Sequence, residues 1–579
     1  MVTGEPIQIE LREGSSAIDL LSDEAFGRQW DALHVACPWA TALQTRAFAE
    51  IWYSVYGPAF EPLLVLAFDE AGELTGLLAL AVNRSGGGLL PVGAHQAEYQ
   101  VWLSEAGGGD AFIEAALDRL ALRFPGGRLK LRWLPSGAPL GWLNPTHPWA
   151  ARARFEALPR PLMTVGEGST VESSLRKKQN KHRLTRLREL GPVRVEVLRS
   201  RAEIEPIFDQ LVDFCEFRNG ARYECLPFRE DPYKREFYLR LVDAPEIIHT
   251  SVLWAGNTLL AANIGGREDT SVQIGLVTQS PFVSKYSPGK LLFLLLGREL
   301  GNAGFRELDL TPSEDLNYKE RFADHFDTVH TGTIFFHERA ARLYDRKRQA
   351  VRALKSCLGI LRLTPGTIRL RLGELKRKLR ARAPHVMVLH TVTWVLRQLW
   401  SRSRLNIYQM GSEDAARIEG SPLFNRDSLK DLLQYEPSSP ARPSKFEFLR
   451  EAFTRLEAGG HVFTLAKGGQ LLHFAWVSPV TGPIETELGR PLELPPDSVL
   501  LWDDYTHPTL AHEELYLSSL GTRLQEAGPM AIGDGRIFIS LPHKHQAACQ
   551  AMDRVGFQPH ATLTRRILLG LKTWKWHIE

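Results

Sequence analysis

The stretch KYSPGKLLFLLLGRELGNAGFRELDLTPSEDLNYKERF, residues 285–322, decides how the rest of the chain is read. Ser287 can cap a helix, Pro288 presets its first turn, Gly289 leaves the backbone open and Lys290 adds charge. With Lys285 just ahead of them, these residues suit a helix start that holds an anion. Residues 290–304 are apolar and end in glycine, as a buried helix does, and FRELDL (305–310) reads as a short strand reaching Asp309. Tyr318, Lys319 and Arg321 follow in a polar loop able to face a cleft.

Upstream, IIHTSVLWAGNTLLAANIGG (247–266) reads as a hairpin turning at Gly256-Asn257, and SVQIGLVT (271–278) as a third strand. The order hairpin, third strand, helix, strand recurs at a domain-sized period. It runs through 62–82, 96–103, 112–124 and 128–134, and again through 461–477, 498–508, 512–528 and 536–541. The repetition predicts an α/β protein of three such units, with mixed sheets flanked by helices.

This order resembles the GNAT acyltransferase fold, and residues 20–345 resemble the paired-domain FemAB/CelD-type acetyltransferases associated with bacterial exopolysaccharide systems. SLRKKQNKHRLTRLRELGPVRVEVL (174–198) is similar to the Arg-rich helix that crosses between the halves of that family. Residues 285–322 are similar to its SPGKLLL helix, acidic strand end and Tyr-Lys-x-Arg-Phe stretch, and the tail 543–569 resembles the closing helix, Gly-Phe and last strand of a GNAT unit. The resemblance implies GNAT-like half-domains at 1–165 and 166–345, a basic helical connector at 346–405 and a C-terminal GNAT-like domain at 406–579.

It also implies acyl transfer without a metal, from acetyl-CoA or another acyl-CoA to an amine or hydroxyl of a cell-envelope or exopolysaccharide precursor. Lys285, Ser287, Gly289 and Lys290 would then hold the CoA pyrophosphate, although QSPFVSKYSPGK (279–290) has fewer glycines than the family's usual loop. An ordinary capped core helix is the alternative reading of the same residues. Two other activities stay open. One is a FemAB-like aminoacyltransferase using charged tRNA, and the other a non-catalytic, membrane-docked assembly factor.

Within 174–188 the cations Arg176, Lys177, Lys181 and Arg183 leave Leu175, Leu184 and Leu187 as an apolar stripe. One face should pack while the other stays cationic, available with Arg321 to an anionic glycan precursor or simply solvated. Asp309, Tyr318 and Lys319 are the candidates for substrate handling. An acceptor amine must be neutral to attack a thioester, and Asp309 or Glu314 could take its proton or could merely pair with a cation.

The chain has 579 residues, 44% of them hydrophobic and 24% charged, too long for one core and too apolar for disorder. Five scattered cysteines with no CxxC pair speak against a disulfide framework or zinc ribbon, and His543, His545, Cys549 and His560 follow no zinc spacing. Net charge is only +3, yet seventeen Lys/Arg lie between Arg342 and Arg404 against Asp345 and Glu374. Basic amphipathic helices there could be a wet linker, a dock for an anionic membrane surface or a contact for nucleic acid. The acidic N-terminus and the lack of an apolar run near the ~20 residues of a membrane span predict a cytoplasmic protein, peripheral to the membrane if the basic segment docks.

Overall fold

The computed structural model describes residues 7–312, 319–360, 400–439, 442–480, 482–486, 488–510, 513–533, 535–543, 546–568 and 571–578. The chain divides into two compact units, one of residues 1–215, 227–280 and 286–361, the other of 216–226, 281–285 and 362–579. Both are α/β, with mixed sheets flanked by helices.

The first unit contains three sheets. In the first, β1 (Ile9–Glu13), β2 (Phe60–Phe68), β3 (Leu74–Asn83) and β4 (Leu89–Pro91) lie in that order, and β5 (Leu103–Ser104) also pairs with β3. The expected hairpin is present: Asp69 accepts from the N–H of Ala71 and Glu73, and Gly72 turns with φ 82°. A second sheet is built from β8 (Val193–Leu198), β9 (Ile248–Ala255), β10 (Thr258–Gly266) and β12 (Leu276–Gln279).

Between the halves lies a third sheet, ordered β11 (Ser271–Gln273), β13 (Glu307–Asp309), β7 (Ala153–Thr164), β14 (His325–Phe335) and β6 (Arg128–Leu134). Here the halves exchange strands. β7 follows the first half in sequence but pairs with β13 of the second, and β14 closes the second half but pairs with β6 of the first. The two exchanged strands run antiparallel from His325↔Leu162 to Ile334↔Ala153. Neither half can complete this sheet alone.

Two local expectations are corrected. Residues 96–103 were expected to form a strand, but only Leu103 and Ser104 do. Tyr99 and Trp102 are fully buried, and side chains satisfy their carbonyls: Gln44 Nε2 donates to Tyr99 O at 2.8 Å and Trp39 Nε1 to Trp102 O at 2.8 Å. A buried backbone needs partners but not necessarily a ladder. The expected crossing helix is broken at Lys177 (φ −58°, ψ 136°) into Val171–Arg176 and Lys178–Arg188. Leu175, Leu184 and Leu187 are buried as the stripe requires.

The second unit is an eight-stranded sheet ordered β16 (Asn425–Arg426), β17 (His461–Lys467), β18 (Gln470–Pro479), β21 (Val499–Thr506), β22 (Arg536–Pro542), β15 (Trp400–Gly411), β23 (Gln558–Leu568) and β24 (Leu571–Ile578). β19 (Ile484–Glu485) and β20 (Pro491–Leu492) pair separately. The helices Glu513–Met530 and Gln546–Val555 contribute Leu520, Leu524, Ala551 and Met552 to its core. β21 and β22 run parallel only from Val499↔Ile537 to Leu501↔Ile539, after which β21 stays with β18 alone.

Candidate functional site

The site lies in the first unit, where the strand read as 271–278 changes partners. Ser271–Gln273 pairs parallel with β13, and the last bond between them runs from Ile274 N–H to Asp309 O at 2.9 Å. From Leu276 onward the chain pairs with β10 instead. Gly265 and Gly275 permit the crossover: a Cβ on Gly265 would lie 1.9 Å from Gln273 O, and one on Gly275 2.5 Å from Ile264 O. β12 and β13 are therefore not paired with each other, and the two sheets diverge at Gly275 in a notch of the strand pairing.

The Pro288–Asn302 helix begins beside this notch. Its core face is broad, with Leu291–Leu296 all buried. Ser287 is the N-cap residue, but in a left-handed conformation (φ 52°) with no side-chain cap bond, so the expected hydroxyl cap is absent. Gly289 N–H, expected to be open, donates to Gln279 Oε1 at 2.9 Å. The helix start is therefore partly satisfied by its own strand. Lys285 stands in the preceding turn Pro281–Tyr286, in the segment 281–285 grouped with the second unit.

What the fold does assemble is positive charge. Burial lowers the pKa of the Lys290 ammonium, and the charges of Arg183, Arg321 and Lys177 push it further down. Lys290 Nζ also lies 5.6 Å over the ring of Phe322. Four residues nominated separately from sequence, on the broken crossing helix, the helix start and the loop after β13, thus share one locality whose charges on Lys290 are all of one sign. Arg176 and Lys181 are exposed on the crossing-helix segments. Tyr318 and Glu314 lie outside the described residues.

Behind the notch is a buried polar network. Asp309, 1% exposed, accepts from Tyr99 Oη at 2.6 Å, Arg160 Nε at 3.0 Å and Thr311 N–H at 2.7 Å. Burial opposes the Arg160 charge, but Asp309 and Tyr99 more than offset it and its pKa rises. Each of these bonds helps to hold in place the carboxylate nominated for proton transfer. Thr311 is left-handed (φ 54°), an outlier for a β-branched residue, and Lys319 Nζ donates to its carbonyl at 2.9 Å and its hydroxyl at 3.0 Å.

Burial lowers the Lys319 pKa to about 8, against the pull of Glu98 and Asp309. Glu98, 18% exposed at its side chain, lies 2.8 Å from Arg132 Nη2, and burial raises its pKa although Arg132 and Lys319 counter it. A carboxylate shifted up and an amine shifted down thus act on each other in one buried locality; of the two, sequence reading nominated Lys319 and missed Glu98. Glu98 carried no signal: it sits in a stretch that alternates like a strand, and only the exchange of strands between halves brings it to Lys319.

At the equivalent junction of the first half, side chains crowd the helix start: a Cβ on Gly109 would lie 2.4 Å from Pro139 Cγ and 2.7 Å from Trp39 Cη2. Asp110 does not cap the Gly109–Arg123 helix, and accepts instead from Trp142 N–H at 3.3 Å. Among the described residues no three His, Cys, Asp or Glu converge as metal ligands, and His545 lies outside them.

Residues 174–320 match the family model of the acetyltransferase (GNAT) domain. The expected resemblance to that superfamily is borne out over this stretch, which includes the crossing helices, the partner-changing strand, the helix start and Lys319. No curated protein matches the chain. Among solved structures, L-PGS from Bacillus licheniformis is 12% identical, with 55% of this chain and 96% of that one covered and a TM-score of 0.35. FemX is 9% identical (53% and 95% covered, TM-score 0.35), and a tandem GNAT protein from the clavulanic acid biosynthesis pathway 12% (57% and 99%, TM-score 0.32).

Proposed function

We propose that the first unit is a GNAT-type acyltransferase that takes an acyl group from a phosphate-bearing carrier, acetyl-CoA or another acyl-CoA, to an amine or hydroxyl. The observation that carries this reading is the gathering of Lys177, Arg183 and Arg321 around Lys290 at a helix start beside parted strands. A lysine whose pKa is lowered by burial and by neighbouring cations gains most from a ligand that brings negative charge, and a pyrophosphate does so. The parted edge of β12 offers backbone groups to the rest of the carrier.

In this reading Lys177, Arg183, Lys290 and Arg321 bind and orient the carrier. Ser287 and Gly289 shape the helix start, and Lys285 stands before it. Glu98 and Lys319 handle the acceptor's proton in place of Asp309: attack by a neutral amine on the thioester carbonyl releases one proton, which a raised carboxylate or a lowered lysine can accept. Asp309, Tyr99 and Arg160 position Thr311 and thereby Lys319. Arg176 and Lys181 extend the positive surface toward an anionic glycan precursor.

Calorimetric titration of the full chain with acetyl-CoA tests the carrier. Binding by the native protein that Lys290→Glu weakens at least tenfold supports the reading, and no heat with either protein removes it. Salt-sensitive binding of aminoacyl-tRNA without binding of acetyl-CoA would move the activity to the aminoacyltransferase class. Docking on an anionic membrane belongs to the same proposal: on the Glu338–Ile360 helix Leu343 is 64% and Val351 44% exposed among Arg342, Arg346, Lys347 and Arg352. Among the described residues no helix is long and apolar enough to cross a membrane.

A further inference from the structure

The second unit has a charged hollow of its own, at the opposite end of β22 from its start at Arg536. β22 stops at Pro542, opposite Leu405, while β15 and β23 continue together as far as Trp400↔Leu568. Where β22 is missing, the chain turns away with His543 N–H donating to Arg404 O at 3.0 Å. The gap beside the continuing strands is a hollow of about 570 Å³ whose lining includes Arg402, Arg404, Arg565, His543, Leu488 and Pro542, with no acidic residue in it among the described residues. A smaller hollow of about 240 Å³ shares Arg404 and His543 and reaches Asn406 and Tyr408.

Three features make this arrangement costly unless something negative occupies it. Arg402 and Arg566 stand directly opposite each other across β15 and β23, a like-charge pair that weakens a sheet. Arg404 and Arg566 both lower the Arg402 pKa, Arg404 the more. Arg565 anchors one end by donating from Nη1 to Leu488 O at 3.3 Å, yet among the described residues its buried Nε has no hydrogen-bond partner. A guanidinium anchored through one of its five N–H groups at the wall of a hollow, with its Nε donor unmet among the described residues, is arranged for an acceptor that comes from outside.

We propose that this hollow binds a phosphate-bearing small molecule at a site separate from the one in the first unit. The hollow's size is within the ~300–1,000 Å³ typical of small-ligand sites, and its concavity between a sheet edge and the Leu488 segment favours a compact phosphate over an extended polymer. Phosphate geometry also suits several guanidinium forks at once. The inference does not depend on acyl transfer by the first unit.

The test is calorimetric titration of the full chain with inorganic pyrophosphate, and separately with a nucleoside diphosphate. In a chain carrying Lys290→Glu, which removes the first unit's affinity for pyrophosphate, binding should persist, and adding Arg404→Glu should lower it at least tenfold, which separates this site from that of the first unit. Arg402→Ser is the second variant: it should raise the melting temperature in phosphate-free buffer by removing the opposed charge, and shrink the upward shift that pyrophosphate produces. Equal binding by native, Arg404→Glu and Arg402→Ser proteins overturns the proposal, as does a loss confined to Lys290→Glu or no binding at all. A single-stranded RNA that binds more tightly than pyrophosphate and depends on Arg404 also overturns it, in favour of a nucleic-acid surface. Preference for the nucleoside diphosphate over pyrophosphate would identify the ligand as a phosphorylated metabolite, and the reverse order as the free anion.

Discussion

Asp309→Asn separates a holding role from a chemical one. The native carboxylate is 1% exposed, accepts from Tyr99, Arg160 and Thr311, and lies 2.9 Å from Arg160 Nη2, whose side chain is only 15% exposed. The amide removes the negative charge and turns one acceptor into a donor facing other donors, leaving the buried Arg160 only the more distant Asp327, 3.8 Å from Nη1. Breaking a buried pair in this way costs about 3–5 kcal/mol, or roughly two to nearly four decades in a local opening equilibrium. Hydrogen exchange of the full chain, read on peptides covering 153–164 and 305–312, should show protection lost on that scale, centred on β7 and β13. Arg160→Met should cost a similar amount, and the double variant much less than the sum, because each single change exposes the same fault. If Asp309→Asn cost under about 1 kcal/mol while abolishing transfer, the carboxylate would be acting on substrate and the positional account would be wrong.

Other expectations follow from single features. His473 is fully buried between Thr506 and Ser519 hydroxyls, and burial drives its pKa down to about 3 from 6.5. Its folded pKa is depressed, so the unfolded chain binds the extra proton first. Stability of the second unit should fall as pH drops below 6.5, by about 2 kcal/mol at pH 5, and His473→Gln should flatten that limb in urea melts. Lys319 is also depressed, from 10.5 to about 8, so its cost to the fold should be relieved as pH rises from 8 to 10.5. Comparing native protein with Lys319→Met over that window isolates the effect, and equal slopes would refute it. Gly265→Ala drives a Cβ into Gln273 O and should destabilise the crossover at 274–275 by about 1–3 kcal/mol, seen as faster exchange in 271–279. Arg183→Glu should weaken acetyl-CoA binding as Lys290→Glu does, and added salt should narrow the gap between native and variant proteins.

Much of the local architecture was legible because it rests on patterns a few residues long. The hairpin turning at Gly468 and Gly469 is present with both glycines at positive φ, β6 spans Arg128–Leu134 as read, and the apolar run after Lys290 forms the buried helix. The crossing segment's stripe of Leu175, Leu184 and Leu187 follows from helical spacing alone. Even the cations about Lys290 could be nominated one by one, since charge and helix-start chemistry are properties of short stretches.

Which residues meet was decided by the tertiary structure. β7 and β14 lie beyond the last strands expected of their own halves, and each pairs with a strand of the other half, an exchange that nothing within either strand encodes. The same exchange delivers Glu98 and Tyr99 to Lys319 and Asp309 across some two hundred residues of chain. Burial then pushes Glu98 and Lys319 toward their neutral forms and holds the Asp309 carboxylate among donors, because removal of water sets both the pKa shifts and the need for partners. Sequence supplies the chemical groups and their local geometry, but the dielectric and the neighbours that give them a task exist only once the two halves have closed on one another.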